Sequence, residues 1–180
     1  MAAVLGIGNA TLDIIHQVDH YPHENDEVRC SARLQRCGGN TANTLMVLSQ
    51  LGPDCYWAGT LVADADGRLV ADGLSRHGID TSAAEWFETG GMPVSSVLLS
   101  KQTGSRTITH FRDLPEYPAA AFAALDLQPF DWLHFEGRNI DGIRQMLARV
   151  RQYAPQLRCS LEVEKPRQGI ESLFSLVDVL

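Results

Sequence analysis

The stretch Gly38-Gly39-Asn40-Thr41-Ala42-Asn43 joins backbone freedom to hydrogen-bonding capacity just before an apolar helical run. Two adjacent glycines admit conformations closed to other residues and let a ligand approach the main chain. Each asparagine both donates and accepts through its side-chain amide. A glycine turn opening a helix also aims unpaired N–H groups outward. The set suits a hydroxyl-rich small molecule or an anion. The same residues also make an ordinary turn and helix cap.

Other chemistry-bearing residues point elsewhere. Gly6-x-Gly8 after an apolar run suggests a dinucleotide fingerprint, yet its third glycine position holds Thr11. Asp13 would then repel a pyrophosphate at the helix start, so a nicotinamide-binding protein is a minor alternative. His16, His20 and His23 fall in an alternating stretch closed by Pro22, which favours surface histidines over metal ligands. Cys30, Cys37, Cys55 and Cys159 show no C-x-x-C spacing and suit reduced, cytosolic thiols.

These residues must be held by two kinds of element. Ala2–Gly8, Cys55–Thr60, Phe130–Glu136 and Arg158–Val163 are short apolar runs that predict strands buried on both faces. Helical periodicity follows in Ala42–Leu51, in Arg68–His77, in Ile143–Val150 at i, i+3, i+4, i+7, and in Ile170–Val177. Strand–helix alternation implies a parallel sheet flanked by helices. Ile14–His20 and Glu27–Arg36 instead alternate polar with apolar, and Val94–Ser100 with Arg106–Arg112 flank a Lys101–Ser105 turn. Together they predict a second sheet of four strands. Leu176–Leu180 begins another apolar run, expected to be aggregation-prone if left uncovered.

With 180 residues, 44% apolar and 21% charged, the chain can bury a substantial core. Its net charge of −7 excludes a broad basic face for nucleic acid. The N-terminus lacks the basic region of a signal peptide, and no apolar run approaches a membrane span. A cytoplasmic protein is expected.

Taken together, "GNATLDII", "RCGGNTANTLMVLSQLG", "GTLVADADGRLVADGLSRHGIDTS", "GSRTITHF", "HFEGRN" and "LEVEKPR" resemble the N-terminal part of ribokinase-like (phosphofructokinase-B type) sugar kinases. "EGRN" and "EVEKPR" are most similar to the ketohexose-phosphorylating branch. The resemblance covers essentially the whole chain. It implies a three-layer α/β/α fold with a parallel central sheet, the C-terminal part of the fold absent, plus a four-stranded β lid. The core would comprise residues 1–13, 37–92 and 113–180, and the lid, which also forms a homodimer contact, residues 14–36 and 93–112.

By the same resemblance Asp13, Gly39, Asn40 and Asn43 bind the sugar hydroxyls and Arg106 reaches the nucleotide phosphates. A carboxylate accepting from two hydroxyls is physically apt, and an arginine can stabilise charge in transfer. The implied cofactors are ATP with Mg2+, and a monovalent cation such as K+; the partners are a monosaccharide and ATP, with no nucleic acid, membrane or protein-bound metal. The family's Gly-Ala-Gly-Asp motif, whose aspartate is the base and whose glycines cradle phosphate, does not occur in these 180 residues. That aspartate is expected beyond Leu180, leaving this chain inactive alone. A non-catalytic sugar-binding or dimerisation module is the second reading.

Overall fold

The computed structural model describes residues 2–180. The chain runs β1 (Ala3–Ile7), β2 (Thr11–Val18), β3 (Ala32–Gly38), α1 (Asn40–Ser49), β4 (Asp54–Ala58), β5 (Thr60–Val62) and α2 (Ala65–Ser75). It continues through β6 (Glu85–Phe87), β7 (Gly91–Ser100), β8 (Arg106–Asp113), α3 (Ala119–Ala124), β9 (Trp132–Glu136), α4 (Ile140–Tyr153) and β10 (Arg158–Glu162), followed by a 3-10 helix over Ile170–Leu176.

Every residue of β1 is buried, because helices cover both faces of its sheet. That sheet is parallel throughout, in the order β10-β9-β1-β4. Side chains alternate across a strand. Leu5 and Ile7 therefore meet Phe122 of α3 and Met146 and Leu147 of α4. Val4 faces the other way, into a cluster with Leu45 of α1 and Val70 and Leu74 of α2. The three-layer α/β/α arrangement follows. The α4 residues Ile143, Met146, Leu147 and Val150 are all buried, as their spacing predicts.

Gly6 and Gly8 serve this packing. A Cβ on Gly6 would lie 2.7 Å from Thr41 Cγ2, and one on Gly8 would strike Thr41 Oγ1. Their small size lets the start of α1 press onto β1. No helix follows β1, since the chain turns directly into β2. The context that a dinucleotide fingerprint requires is therefore absent.

The second sheet has the order β3-β2-β7-β8. Two antiparallel pairs, β2 with β3 and β7 with β8, join through a parallel β2–β7 pairing. Leu34, Ile108 and Phe111 are exposed on it.

Several boundaries differ from the sequence expectation. β2 begins at Thr11, so Asp13 belongs to the second sheet rather than to the core, paired across from Arg36 and Ser95. Alternation alone could not see this, because Thr11 and Leu12 are buried and continue the apolar run of β1. Glu27–Cys30 carry no strand, and β3 starts at Ala32. α2 starts at Ala65, capped by the Asp64 side chain, which accepts from Gly67 N at 2.9 Å. The stretch after "EKPRQ" is a 3-10 helix, not an α-helix. β5 and β6, a small parallel pair, and α3 had no clear sequence signal. Of Leu176–Leu180, only Val179 makes a parallel bridge, to Ser160 of β10.

All four cysteines are free. Burial, and then the charge of Asp13, pushes the Cys37 thiol up to about 12. Burial also pushes Cys159 up to about 11, with Arg151 opposing and Asp178 adding to the rise. Cys30 is exposed. Because the thiolate is the nucleophile, iodoacetamide near pH 8 is expected to alkylate Cys30 well ahead of Cys37 and Cys159. Peptide mass spectrometry showing comparable rates at these three sites would contradict the packing described.

Candidate functional site

The two sheets meet along a cleft of about 340 Å³. Asp13, Gly39, Asn40, Asn43 and Arg106 all line it, although they come from β2, the β3–α1 turn, α1 and β8. The opposite wall is formed by Glu136 and Arg138 at the end of β9 and by Glu164 and Lys165 after β10. The carboxyl ends of parallel strands are where ligands bind in open α/β sheets.

The turn into α1 is built by close contacts. Gly39 has φ 100° and serves as N-cap, a conformation that costs a residue with a Cβ. A Cβ there would also lie 2.5 Å from Asn9 O. Gly38 has no side chain where the Asp13 carboxylate lies, and a Cβ there would strike Asp13 Oδ2. The glycine pair thus does two jobs: one turns the chain and the other admits the carboxylate. Asp13 Oδ1 accepts from Thr11 Oγ1 at 2.9 Å, which orients it.

Glu136 holds this turn against the core. Its buried carboxylate accepts through Oε2 from Asn9 N at 2.8 Å, Thr41 Oγ1 at 3.0 Å and Thr41 N at 3.3 Å. One carboxylate therefore satisfies two backbone donors, one of them at the start of α1, where negative charge is favoured. Its other oxygen lies 3.7 Å from Arg138 Nη1, and Arg138 Nε donates to Glu116 at 2.9 Å. Arg112 completes the frame, donating through Nη1 to Asn9 Oδ1 at 2.8 Å and pairing with Glu116 at 3.1 Å.

The cleft wall is partly tuned by burial. Asn40 Nδ2 donates to Glu162 Oε1 at 3.1 Å. Burial, and then the charge of Glu136, raises the Glu162 carboxyl above its ordinary range, while the Asn40 bond works the other way. Burial, followed by the charges of Arg138 and Arg112, holds the His110 imidazole below its ordinary value of 6.5. The ring is therefore neutral near pH 7, within hydrogen-bonding distance of Ser95 Oγ at 3.3 Å. Asn43 is exposed at the cleft rim, and Arg106 is exposed on the first residue of β8.

The cleft thus offers oriented acceptors and amides along one side and the cations Arg106, Arg138 and Lys165 around the rest. Such a set can hold a polyhydroxylated molecule beside an anionic group. The sequence reading singled out neither Glu136 nor Lys165. Both sit in motifs used there only for likeness, and their position at strand carboxyl ends was the available signal.

A family model described as "pfkB family carbohydrate kinase" matches residues 1–180. Ketohexokinase of Mus musculus is 39% identical over 188 aligned positions, which cover 98% of this chain and 62% of that protein. The chain therefore spans less than two thirds of that relative's length. Among solved structures, a putative ribokinase from Agrobacterium tumefaciens aligns with a TM-score of 0.80 at 22% identity, over 98% of this chain and 57% of that one. Arabidopsis thaliana ribokinase complexed with ribose and ATP aligns at a TM-score of 0.72 and 18% identity, over 92% of this chain and 55% of that one. At these identities the two structures establish the common fold.

Proposed function

The chain belongs to the pfkB family of carbohydrate kinases, and from that premise we propose that it supplies the sugar site and lid of an ATP-dependent monosaccharide kinase. The likeness to mouse ketohexokinase supports a ketohexose such as fructose, giving fructose 1-phosphate. The observation that carries this reading is the convergence of Asp13, Gly39, Asn40, Asn43 and Arg106 on one cleft.

In this role Asp13, oriented by Thr11, accepts from two sugar hydroxyls, while Gly39, Asn40 and Asn43 meet the others. Closure of the second sheet as a lid would exclude water from the cleft. Arg106 and Lys165 suit the phosphates of ATP, whose use is supported by the ribokinase bound to ribose and ATP. Mg2+ arriving with the nucleotide would neutralise phosphate charge. Among the described residues, no group of three or more His, Cys, Asp or Glu side chains is arranged to hold a metal. Exposed Leu34 and Ile108, which share one face of the lid sheet, support pairing of two copies through it. Free cysteines accord with a cytoplasmic setting. No helix among the described residues is long and apolar enough to cross a membrane.

Because no Gly-Ala-Gly-Asp string occurs in the 180 residues, this chain by itself is expected to bind sugar without transferring phosphate. Calorimetric titration with fructose and a coupled ADP-release assay on the same material check both halves. Fructose-dependent ADP release would overturn the expected inactivity. Absence of any monosaccharide binding would overturn the assignment of the cleft.

A further inference from the structure

Behind the sugar cleft lies a second and larger groove, of about 620 Å³, between the edge strand β3 and helices α1 and α2. Arg36 of β3, with Arg76 and His77 just past α2, line it together with Gln35, Gln50 and Asn43. No aspartate or glutamate lines it, although the chain as a whole carries a net charge of −7. Asp13, across the ladder from Arg36, and Asp72, one turn before Arg76, are the obvious neutralising partners. Neither forms an ion pair with those arginines, and no other acid among the described residues does.

The groove is a feature of the packing. Gly73 brings α2 against β3 so closely that a Cβ there would lie 2.7 Å from Cys37 Cβ. One wall thus belongs to the lid sheet and the other two to core helices. Gln50 Nε2 is committed to Met46 O at 2.8 Å, which fixes that amide at the rim. Asn43 lines both this groove and the sugar cleft.

We propose that this groove binds a phosphate-bearing small molecule, held between Arg36 on the lid sheet and Arg76 on the core. Guanidinium groups match phosphate oxygens in planar, paired geometry, and two of them from separate elements define a site rather than a single surface charge. An anion spanning them ties the root of the lid to the core, so binding raises the melting temperature by mass action on the folded state. The attraction is between exposed groups and weakens as salt is added.

The test is equilibrium binding to the 180-residue chain in low-salt buffer, with inorganic phosphate and glycerol 3-phosphate as separate probes. Three proteins are compared: the parent, the double variant R36Q/R76Q, and R33Q, an exposed arginine on β3 outside the groove. The parent is expected to bind at least one probe, R36Q/R76Q to weaken that binding roughly tenfold or more, and R33Q to leave it within about twofold. Binding by inorganic phosphate identifies the phosphate group as the recognised unit, whereas binding by glycerol 3-phosphate alone identifies a phosphate ester. No binding of either probe, binding in R36Q/R76Q within about twofold of the parent, or an equal loss in R33Q overturns the proposal. Melting curves establish that each variant is folded. A failure here would leave the sugar-cleft reading intact, since that reading rests on fructose binding.

Discussion

Replacing Asp13 by Asn is expected to raise the Kd for fructose roughly 100-fold, with little change in melting temperature. The substitution keeps the size of the side chain and one acceptor oxygen but removes the charge. Hydrogen bonds to a charged group contribute about 1.5–3 kcal/mol each, so losing the charge from two of them costs about 3 kcal/mol. Folding should tolerate the change. Asp13 is half-buried, its one protein partner among the described residues is the Thr11 hydroxyl, and an amide oxygen can accept that bond. Gly38→Ala makes a complementary case, because its new methyl group would meet Asp13 Oδ2 and displace the carboxylate. Isothermal titration of both variants checks the idea. Fructose affinity within about threefold of the parent in D13N would remove Asp13 from the proposed hydroxyl-binding role.

Glu136→Ala is expected to be the most destabilising single substitution at the cleft. It strips the partner from Asn9 N, Thr41 N and Thr41 Oγ1 together. Leaving a buried donor unpaired costs about 1–3 kcal/mol, so three of them reach a large part of the ~5–15 kcal/mol by which a domain is stable. Water entering the vacated space would recover some of this, and a loss of about 3–5 kcal/mol is the expected outcome. Glu136→Gln separates charge from shape. Its amide oxygen can still accept, so the loss should fall to about 1–2 kcal/mol. Because Glu136 acts through the turn at Gly39 and Asn40, the Gln variant should also lower fructose affinity several-fold without touching the sugar itself. Urea denaturation read beside calorimetry distinguishes these effects. A Glu136→Ala protein with the parent's unfolding midpoint would show that the carboxylate does not hold the turn.

Much of the architecture was legible along the chain. The apolar runs of β1, β4, β9 and β10 marked the strands of the parallel sheet, of which β1 is buried throughout while β9 and β10 are only partly covered on one face. Alternation marked a second, half-exposed sheet. Period and spacing carry such information because burial repeats every two residues in a strand and about every 3.6 in a helix. Local signals failed where tertiary packing overrode them. The short α3 and the β5–β6 pair are too brief to show a period, and Glu27–Cys30 alternate without finding a ladder partner. The Gly6-x-Gly8 spacing mimicked a phosphate loop, while its structural use is to admit Thr41 and the start of α1.

The sequence by itself determined which residue types could bind hydroxyls and where a turn could open a helix: Asp13, Gly39, Asn40 and Asn43, with Arg106 far along the chain. What only the tertiary structure decided is that these residues share one cleft, and that Glu136 ties the cleft to the core across 95 positions. Spacing reports neighbours within one element. A carboxylate reaching Thr41 from the end of β9 depends on β1 lying between β4 and β9, and that order is set by burial of both sheet faces at once.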